Sequence, residues 1–221
     1  MSLISPIFGS KARAALCGTL LLAAIGGGAP AQAQGLRAKL AERAQATAAP
    51  LPPGVQKIAD VPYGPDARQR MDIYLPSSSV PHPSGVRAPV VFMVHGGGWR
   101  NGDKAMGRVV DHKVARWVPR GLIVVSVNYR LLPDTPVAQQ AQDVAQALAT
   151  AQQQTAQWGG DAGRFILMGH SAGAHLVSLI NAQPALAQRL GAWPWLGTVA
   201  LDSAVLNVPQ FMRAPHLPLY D

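Results

Sequence analysis

Cysteine is almost absent from this chain, and so are the residue groupings that several classes of protein require. Cys17 is the single cysteine among the 221 residues, which excludes an internal disulfide and a cysteine-ligated metal centre. The sequence also has no clustered metal ligands, no internal repeat and no Gly-Lys-Ser/Thr phosphate-binding signature. We therefore expect a protein that uses no metal and no other cofactor.

Acidic residues are scarce as well, with 11 Asp and Glu against 19 Lys and Arg and a formal net charge of +8. The basic residues are scattered, and they are not interleaved with aromatic residues, which make up only 6% of the chain. A nucleic-acid-binding surface needs basic residues clustered on one face. The composition therefore argues against a nucleic-acid partner and indicates a mildly basic protein.

The N-terminal apolar run is too short to span a bilayer. It covers residues 14–25 and follows Lys11 and Arg13. Ala31-Gln32-Ala33 then places small residues at the two positions that a signal peptidase reads. We expect residues 1–33 to be a secretory signal peptide, so that the mature protein is periplasmic or secreted and keeps no stable membrane anchor.

The remaining chain suits a linker and one domain. Residues 34–54 are rich in Ala, Gln and Pro and are expected to form a linker. The hydrophobic content of 48% predicts a single domain with a true core over residues 55–221. Residues 58–63 and 69–75 are predicted to form an antiparallel hairpin. In its second strand, apolar residues alternate with Asp72 and Tyr74, which is typical of a half-buried strand.

From residue 90 onwards, continuous apolar strands alternate with helical patterns. This order predicts an α/β fold with a mostly parallel sheet covered by helices on both faces. Strands are predicted over 90–94, 122–128, 164–168 and 197–201, and helices over 107–120, 137–158 and 172–190.

A serine lies between the third of these strands and the last helix, in Gly169-His170-Ser171-Ala172-Gly173. The pattern Gly-x-Ser-x-Gly at a strand-to-helix turn is typical of a nucleophile elbow, which exposes the serine hydroxyl at the edge of a sheet. Ser171 is the candidate nucleophile, and the N–H of Ala172 can face a developing oxyanion. Alone the pentapeptide is a weak signal, because such patterns also arise by chance.

A second motif strengthens the interpretation. The apolar strand 90–94 ends in His95-Gly96-Gly97-Gly98-Trp99. Consecutive glycines leave backbone N–H groups unshielded, which is what an oxyanion hole needs, and Gly97 and Gly98 are the candidate donors. The alternative is a flexible loop after a strand, but two such motifs in this order disfavour it.

With these motifs the chain resembles the α/β-hydrolase superfamily, in its esterase/lipase group, near the hormone-sensitive-lipase-like and arylformamidase-like esterases. Matching segments also include Asn128-Tyr129-Arg130-Leu131 and Gly159-Gly160-Asp161. The resemblance implies a three-layer fold and a small-molecule substrate, a carboxylic ester cleaved through an acyl-enzyme on Ser171. An aryl formamide is the alternative substrate, since the same machinery serves it.

The acid and the base of a catalytic triad are harder to place. In the family the order is Ser, then Asp or Glu, then His. After Ser171 the low-ranked candidates are Asp202 as acid and His216 as base, while His175 lies on the helix behind the elbow and suits a structural role. The family needs further strands before its histidine, so we expect a chain truncated at its C-terminus, with the last strands missing. A hypothesis of another class is therefore an inactive remnant lacking acid and base.

Four other residues have predicted supporting roles. His95 is expected to brace the glycine motif, and Asp143 to anchor a loop through Arg130. Trp99 suits either a substrate pocket or the core. The side chain of His170 could border the substrate.

Overall fold

The computed structural model describes residues 49–77 and 86–202. The predicted signal peptide, most of the predicted linker, and His216 lie outside these residues. Strands and helices alternate in the order β1 (Val55–Pro62), β2 (Arg70–Pro76), β3 (Ala88–Val94), α1 (Gly107–Trp117), β4 (Ile123–Val127), α2 (Val137–Gln154), β5 (Gly160–His170), α3 (Ala172–Ala182), α4 (Ala185–Gln188) and β6 (Gly197–Leu201).

Within the described residues the strands form one six-stranded sheet in the order β1-β2-β4-β3-β5-β6. The predicted entry hairpin is confirmed, because β1 pairs antiparallel with β2, which pairs antiparallel with β4. The other strands run parallel to one another: β3 pairs with β4 on one side and with β5 on the other, and β5 pairs with β6. The carboxyl ends of β3, β5 and β6 therefore meet at one edge of the sheet.

Helices cover both faces of this sheet, as predicted. On one face, α2 and α3 pack on inward residues of β3, β4 and β5, with Phe92, Val125, Val144, Leu167 and Leu176 all fully buried. On the other face, α1 packs through residues such as Val110 on the alternate residues of the strands, among them Tyr74 of β2, Val91 of β3 and Val124 of β4. Across the described residues, none of the helices combines the length and apolar character that crossing a bilayer would take.

The predicted half-buried character of β2 is wrong. Asp72 is 0% exposed and Tyr74 is 1% exposed, although the alternation predicts that both face solvent. The reason is the position of β2, which lies between β1 and β4 and carries α1 over its second face. A charged residue on that face is therefore buried and needs partners within the protein.

The predicted continuous helix over residues 172–190 is also wrong. Helix α3 ends at Ala182, Gln183 has a φ of −131° and a ψ of 67°, and α4 follows Pro184. Proline disfavours the helical conformation in the residue before it, which accounts for the break. The predicted helices over 107–120 and 137–158 are likewise shorter, because the final residues of each form a 3₁₀ turn that ends at a glycine with positive φ.

Candidate active site

The turn between β5 and α3 holds Ser171 in a conformation that residues with a Cβ rarely adopt. Its φ is 52° and its ψ is −118°. The N–H of Ser171 donates to the carbonyl of Leu201 at 2.9 Å, and the N–H of His175 donates to the carbonyl of Ser171 at 3.1 Å. Sparsely populated backbone conformations persist only where the surroundings impose them, and they concentrate at functional sites.

The two glycines of the pentapeptide permit this turn by close backbone approach. A Cβ on Gly169 would lie 2.3 Å from the carbonyl oxygen of Gly173 in α3, and a Cβ on Gly173 would lie 2.3 Å from that of Val94 in β3. No side chain fits at either position without moving a backbone.

The glycine loop, residues 95–102, follows β3 and turns back on itself. Gly97 has a φ of +124° and Gly98 a φ of +61°. The carbonyl of Gly97 accepts hydrogen bonds from the N–H groups of Arg100 at 3.3 Å and Asn101 at 3.0 Å. The loop is therefore a closed turn with a defined shape, which argues against the alternative of a flexible segment.

The glycine loop lies directly against the serine turn. A Cβ on Gly96 would be 2.7 Å from the carbonyl oxygen of His170 and 3.0 Å from the Cβ of Ser171. The hydrogen bonds of the described chain leave the N–H groups of Gly97, Gly98 and Ala172 without a protein acceptor. These three amides are the ones that the sequence predicts as oxyanion donors.

His95 braces the start of the glycine loop, as predicted. It is 0% exposed, its Nδ1 lies 2.8 Å from the carbonyl oxygen of Gly96, and its ring stacks on Tyr129 at a centroid distance of 4.5 Å. Because a carbonyl only accepts, Nδ1 carries the proton. Burial lowers the pKa of His95 to about 4, against the opposing effect of that hydrogen bond, so the ring is neutral.

The residues that follow β4 hold the glycine loop and the two residues after it. The Tyr129 hydroxyl donates to the carbonyl of His95 at 3.0 Å. Asn128 accepts from the N–H of Lys104 at 2.7 Å and donates to Asp103 at 2.8 Å. The sequence of segment 128–131 matches the family but predicts no role for it. In the structure, Tyr129 holds the glycine loop and Asn128 holds the residues that follow the loop.

A partly buried charge cluster that the sequence pattern does not predict lies directly after the glycine loop. Lys104 Nζ lies 2.8 Å from Asp60 and 2.8 Å from Asp72, and Lys57 Nζ lies 2.7 Å from Asp72. The alternation in β2 predicts that Asp72 faces solvent, where a carboxylate needs no partner within the protein. A scarce acidic residue within a strand was the one available signal.

Asp143 anchors the chain after β4, as predicted. Its carboxylate accepts from Arg130 Nε at 2.8 Å and from the Arg130 backbone N–H at 3.1 Å. Gln69 also donates to it, at 2.9 Å. The carboxylate is 3% exposed, so these partners replace its hydration.

Trp99 and His175 lie together behind the loop and the turn. Trp99 is 7% exposed and belongs to the main core, and His175 is 5% exposed, with the two rings edge-to-face at 5.5 Å. Burial lowers the pKa of His175. The core alternative for Trp99 and the structural role of His175 therefore agree with the described packing.

Asp202, the predicted acid, lies at the same edge of the sheet as Ser171. Asp202 follows β6, next to Leu201, whose carbonyl binds Ser171. Its carboxylate is 86% exposed and lies 3.7 Å from Nε2 of His170, which is 51% exposed. His216, the predicted base, lies outside the described residues, so the pairing of Asp202 with His216 stays a prediction.

A mostly parallel sheet between helical layers, with a serine on a strained strand-to-helix turn, defines the α/β-hydrolase fold. Residues 71–193, more than half of the chain, match the family model BD-FAE, and the chain belongs to that family. The predicted resemblance to the esterase/lipase group of α/β-hydrolases is therefore confirmed.

Curated relatives include an esterase and a formamidase. Probable isoprenylcysteine alpha-carbonyl methylesterase ICMEL1 of Oryza sativa subsp. japonica is 34% identical over 123 residues, which are 56% of this chain and 27% of the relative. Kynurenine formamidase of Danio rerio is 33% identical over 125 residues, which are 57% of this chain and 39% of the relative. The chain thus spans well under half the length of either relative.

A solved structure supports the same fold. Esterase B from Lactobacillus rhamnosis (HN001) matches with a TM-score of 0.55 and 28% identity. The match covers 78% of this chain and 52% of that protein.

Proposed function

We propose that this chain carries the nucleophile and the oxyanion-binding loop of a serine hydrolase that cleaves carboxylic esters. One observation carries the proposal: Ser171 sits on a strained turn, and Gly96 of the glycine loop is in contact with that turn. A serine hydroxyl and a set of amides that have no acceptor in the described part of the chain are thereby held beside each other, as acyl transfer requires.

The chemistry follows from this placement. Ser171 Oγ attacks the carbonyl carbon and gives its proton to a base, and negative charge builds on the carbonyl oxygen. The N–H groups of Gly97, Gly98 and Ala172 stabilise that charge, and the dipole of α3 adds to the effect. Loss of the alkoxide, protonated on departure, leaves an acyl-serine that water hydrolyses. One such donor is worth about 3 kcal/mol of barrier.

Asp202 and His216 are the proposed acid and base for this proton transfer. Asp202 is supported by its position at the carboxyl edge, one residue after the strand that binds the Ser171 amide. A serine hydroxyl needs a base to become a nucleophile, and the base needs an orienting acid. In Asp202→Asn and in His216→Ala, ester turnover should fall by at least about a thousandfold. Turnover that survives either change would exclude that residue from the triad.

A fluorophosphonate probe tests the nucleophile directly. We expect the purified chain to gain the mass of one phosphonyl group, with the modified peptide containing Ser171. Ser171→Ala should abolish labelling, and Ser178→Ala, on the same helix seven residues later, should retain it. An inactive remnant predicts that neither the native chain nor Ser178→Ala reacts, and that outcome would refute the proposal.

An aryl formamide is a second candidate substrate, favoured by the similarity to a kynurenine formamidase. The same serine and amides would attack a formamide carbonyl and release an aromatic amine and formate. Rates on a p-nitrophenyl ester and on an N-formyl arylamine, measured on one preparation, separate the two. A kcat/KM for the formamide at least tenfold higher would make it the preferred class.

We also propose that the protein is exported to the periplasm or beyond the cell. Support comes from the sequence of residues 1–33, with Lys11 and Arg13 before an apolar run and Ala31 and Ala33 at the cleavage positions. N-terminal sequencing of the exported protein should give Gln34 as the first residue. An intact N-terminus on the cytoplasmic protein would contradict the proposal.

A further inference from the structure

Arg68 joins the turn between β1 and β2 to two distant segments of the site. Its Nε donates to the carbonyl of Tyr129 at 3.1 Å, and its Nη2 donates to the carbonyl of Gly102 at 2.8 Å. Both contacts are partly buried and reach across 61 and 34 residues of sequence, respectively. A guanidinium fork suits this task, because it donates in two fixed directions at once.

Gly102 is where the glycine loop closes. It has a φ of +115°, and a Cβ there would lie 2.4 Å from the carbonyl oxygen of Gly96 and 2.3 Å from Nδ1 of His95. The residue therefore lies in direct contact with the first part of the loop. Fixing its carbonyl fixes the distance between the two ends of the turn that contains Gly97 and Gly98.

Tyr129, the second acceptor of Arg68, supports the other end of the loop. Its ring stacks under His95, and its hydroxyl binds the His95 carbonyl. Arg68 thus contacts both ends of the loop. It binds the carbonyl of Gly102 directly, and it binds Tyr129, which in turn supports His95. The positive charge of Arg68 also disfavours protonation of His95, which keeps that ring a neutral donor to Gly96.

We propose that Arg68 is a positioning residue for the oxyanion-binding amides of the glycine loop. It acts through Gly102 and Tyr129 and does not touch the substrate. This inference rests on the proposed function. A residue that aligns donors for the transition state lowers kcat when it is lost and leaves KM nearly unchanged, because the ground-state carbonyl depends less on those donors.

Arg70 supplies a matched control. It lies two residues further on, and its Nη1 donates to the carbonyls of Gly64, Asp66 and Gln69, all within its own turn. Arg70→Ala therefore removes the same kind of side chain and the same kind of hydrogen bond from the same hairpin. It removes none of the contacts that Arg68 makes with the glycine loop.

The kinetic arm compares Arg68→Ala, Arg68→Lys and Arg70→Ala in the full chain with a p-nitrophenyl ester. Loss of a single oxyanion donor costs about 100- to 1000-fold in kcat, so partial misplacement of the loop should cost at least about tenfold. We expect that loss in Arg68→Ala with KM within about twofold, and only partial recovery in Arg68→Lys, because a single ammonium lacks the fork. Equal kinetic losses in Arg68→Ala and Arg70→Ala would overturn the proposal.

Amide hydrogen exchange supplies an arm that does not depend on turnover. We expect exchange over residues 96–102 to accelerate at least about tenfold in Arg68→Ala and in Arg68→Lys relative to Arg70→Ala, with α2 unchanged. Unchanged exchange in that segment would refute the role of Arg68 even if esters are cleaved. Accelerated exchange in a chain that does not react with fluorophosphonate would support the positioning role and reject the proposed function.

Discussion

At the scale of single residues, the site depends on positions where only glycine fits and on one serine held in a strained conformation. Gly96, Gly169 and Gly173 each lie where a Cβ would meet a backbone carbonyl oxygen within 2.7 Å. Such contacts bring three separate segments of backbone together around Ser171. The glycines are therefore required by packing as well as by conformational freedom.

Gly96→Ala tests this point. Its Cβ would press on the carbonyl of His170 and on Ser171, while the same change at Gly163 meets its nearest atom, Asp161 Oδ1, at 3.5 Å, an ordinary contact. We expect Gly96→Ala to lower kcat on a p-nitrophenyl ester by at least about tenfold, since an ångström of misplacement at a site can cost about a hundredfold. Gly163→Ala should stay within about twofold. Equal effects of the two substitutions would show that the contact at Gly96 is unimportant.

At the scale of elements, the entry hairpin supports the loop that follows β3. Asp72 of β2 and Asp60 of β1 both bind Lys104, whose backbone N–H and carbonyl bind Asn128 and Ser126 of the chain around the end of β4. The hairpin, the loop and β4 are therefore linked through one lysine. Because Asp72 is fully buried, its charge depends on these partners.

Lys104→Met should destabilise the fold, because it leaves the Asp72 carboxylate with Lys57 as its ion-pair partner. Breaking a buried ion pair costs about 3–5 kcal/mol, and we expect about 3 kcal/mol here. Lys113→Met is the control, since Lys113 lies on α1 and its Nζ donates to Val109 of the same helix. Urea unfolding gives both free energies, and similar values for the two variants would be inconsistent with the linking role of Lys104.

At the scale of the whole molecule, two buried neutral histidines make stability depend on pH. Burial lowers the pKa values of His95 and His175 below the ordinary value of 6.5, and that of His95 falls to about 4. Between pH 6.5 and about pH 4, the unfolded chain therefore binds more protons than the native state. The stabilisation is fully present above pH 6.5 and is lost as the pH falls towards 4.

For His95 alone, the shift corresponds to about 3 kcal/mol of unfolding free energy lost between pH 6.5 and pH 4. His95→Asn keeps a donor for the Gly96 carbonyl but does not titrate, so its stability should vary less with pH in this window. His112→Asn, at an exposed position on α1, should follow the native profile. Urea unfolding at pH 7.5, 6, 5 and 4.5 measures the difference, and parallel profiles for all three proteins would contradict the assignment.

The sequence by itself determined the parts of the site that are local in the chain. The serine turn and the glycine loop each depend on consecutive residues whose glycines allow one backbone path. The order of strands and helices followed from hydrophobic periodicity, because the spacing of apolar residues within a short stretch differs between a strand and a helix. The break at Pro184 was also readable from the sequence, because proline acts on its neighbour, although the helix over 172–190 was predicted to pass through it.

Only the tertiary structure decided which polar residues support the site. Arg68 reaches Gly102 and Tyr129, and Lys104 reaches Asp60 and Asp72. Each of these contacts joins residues that are at least 32 positions apart in the sequence. These pairings exist because the sheet places β2 beside β4 and β4 beside β3, an order that no local pattern specifies. Burial of Asp72 has the same origin: a strand shows its alternation in sequence, but whether its second face meets water or a helix depends on what packs against it.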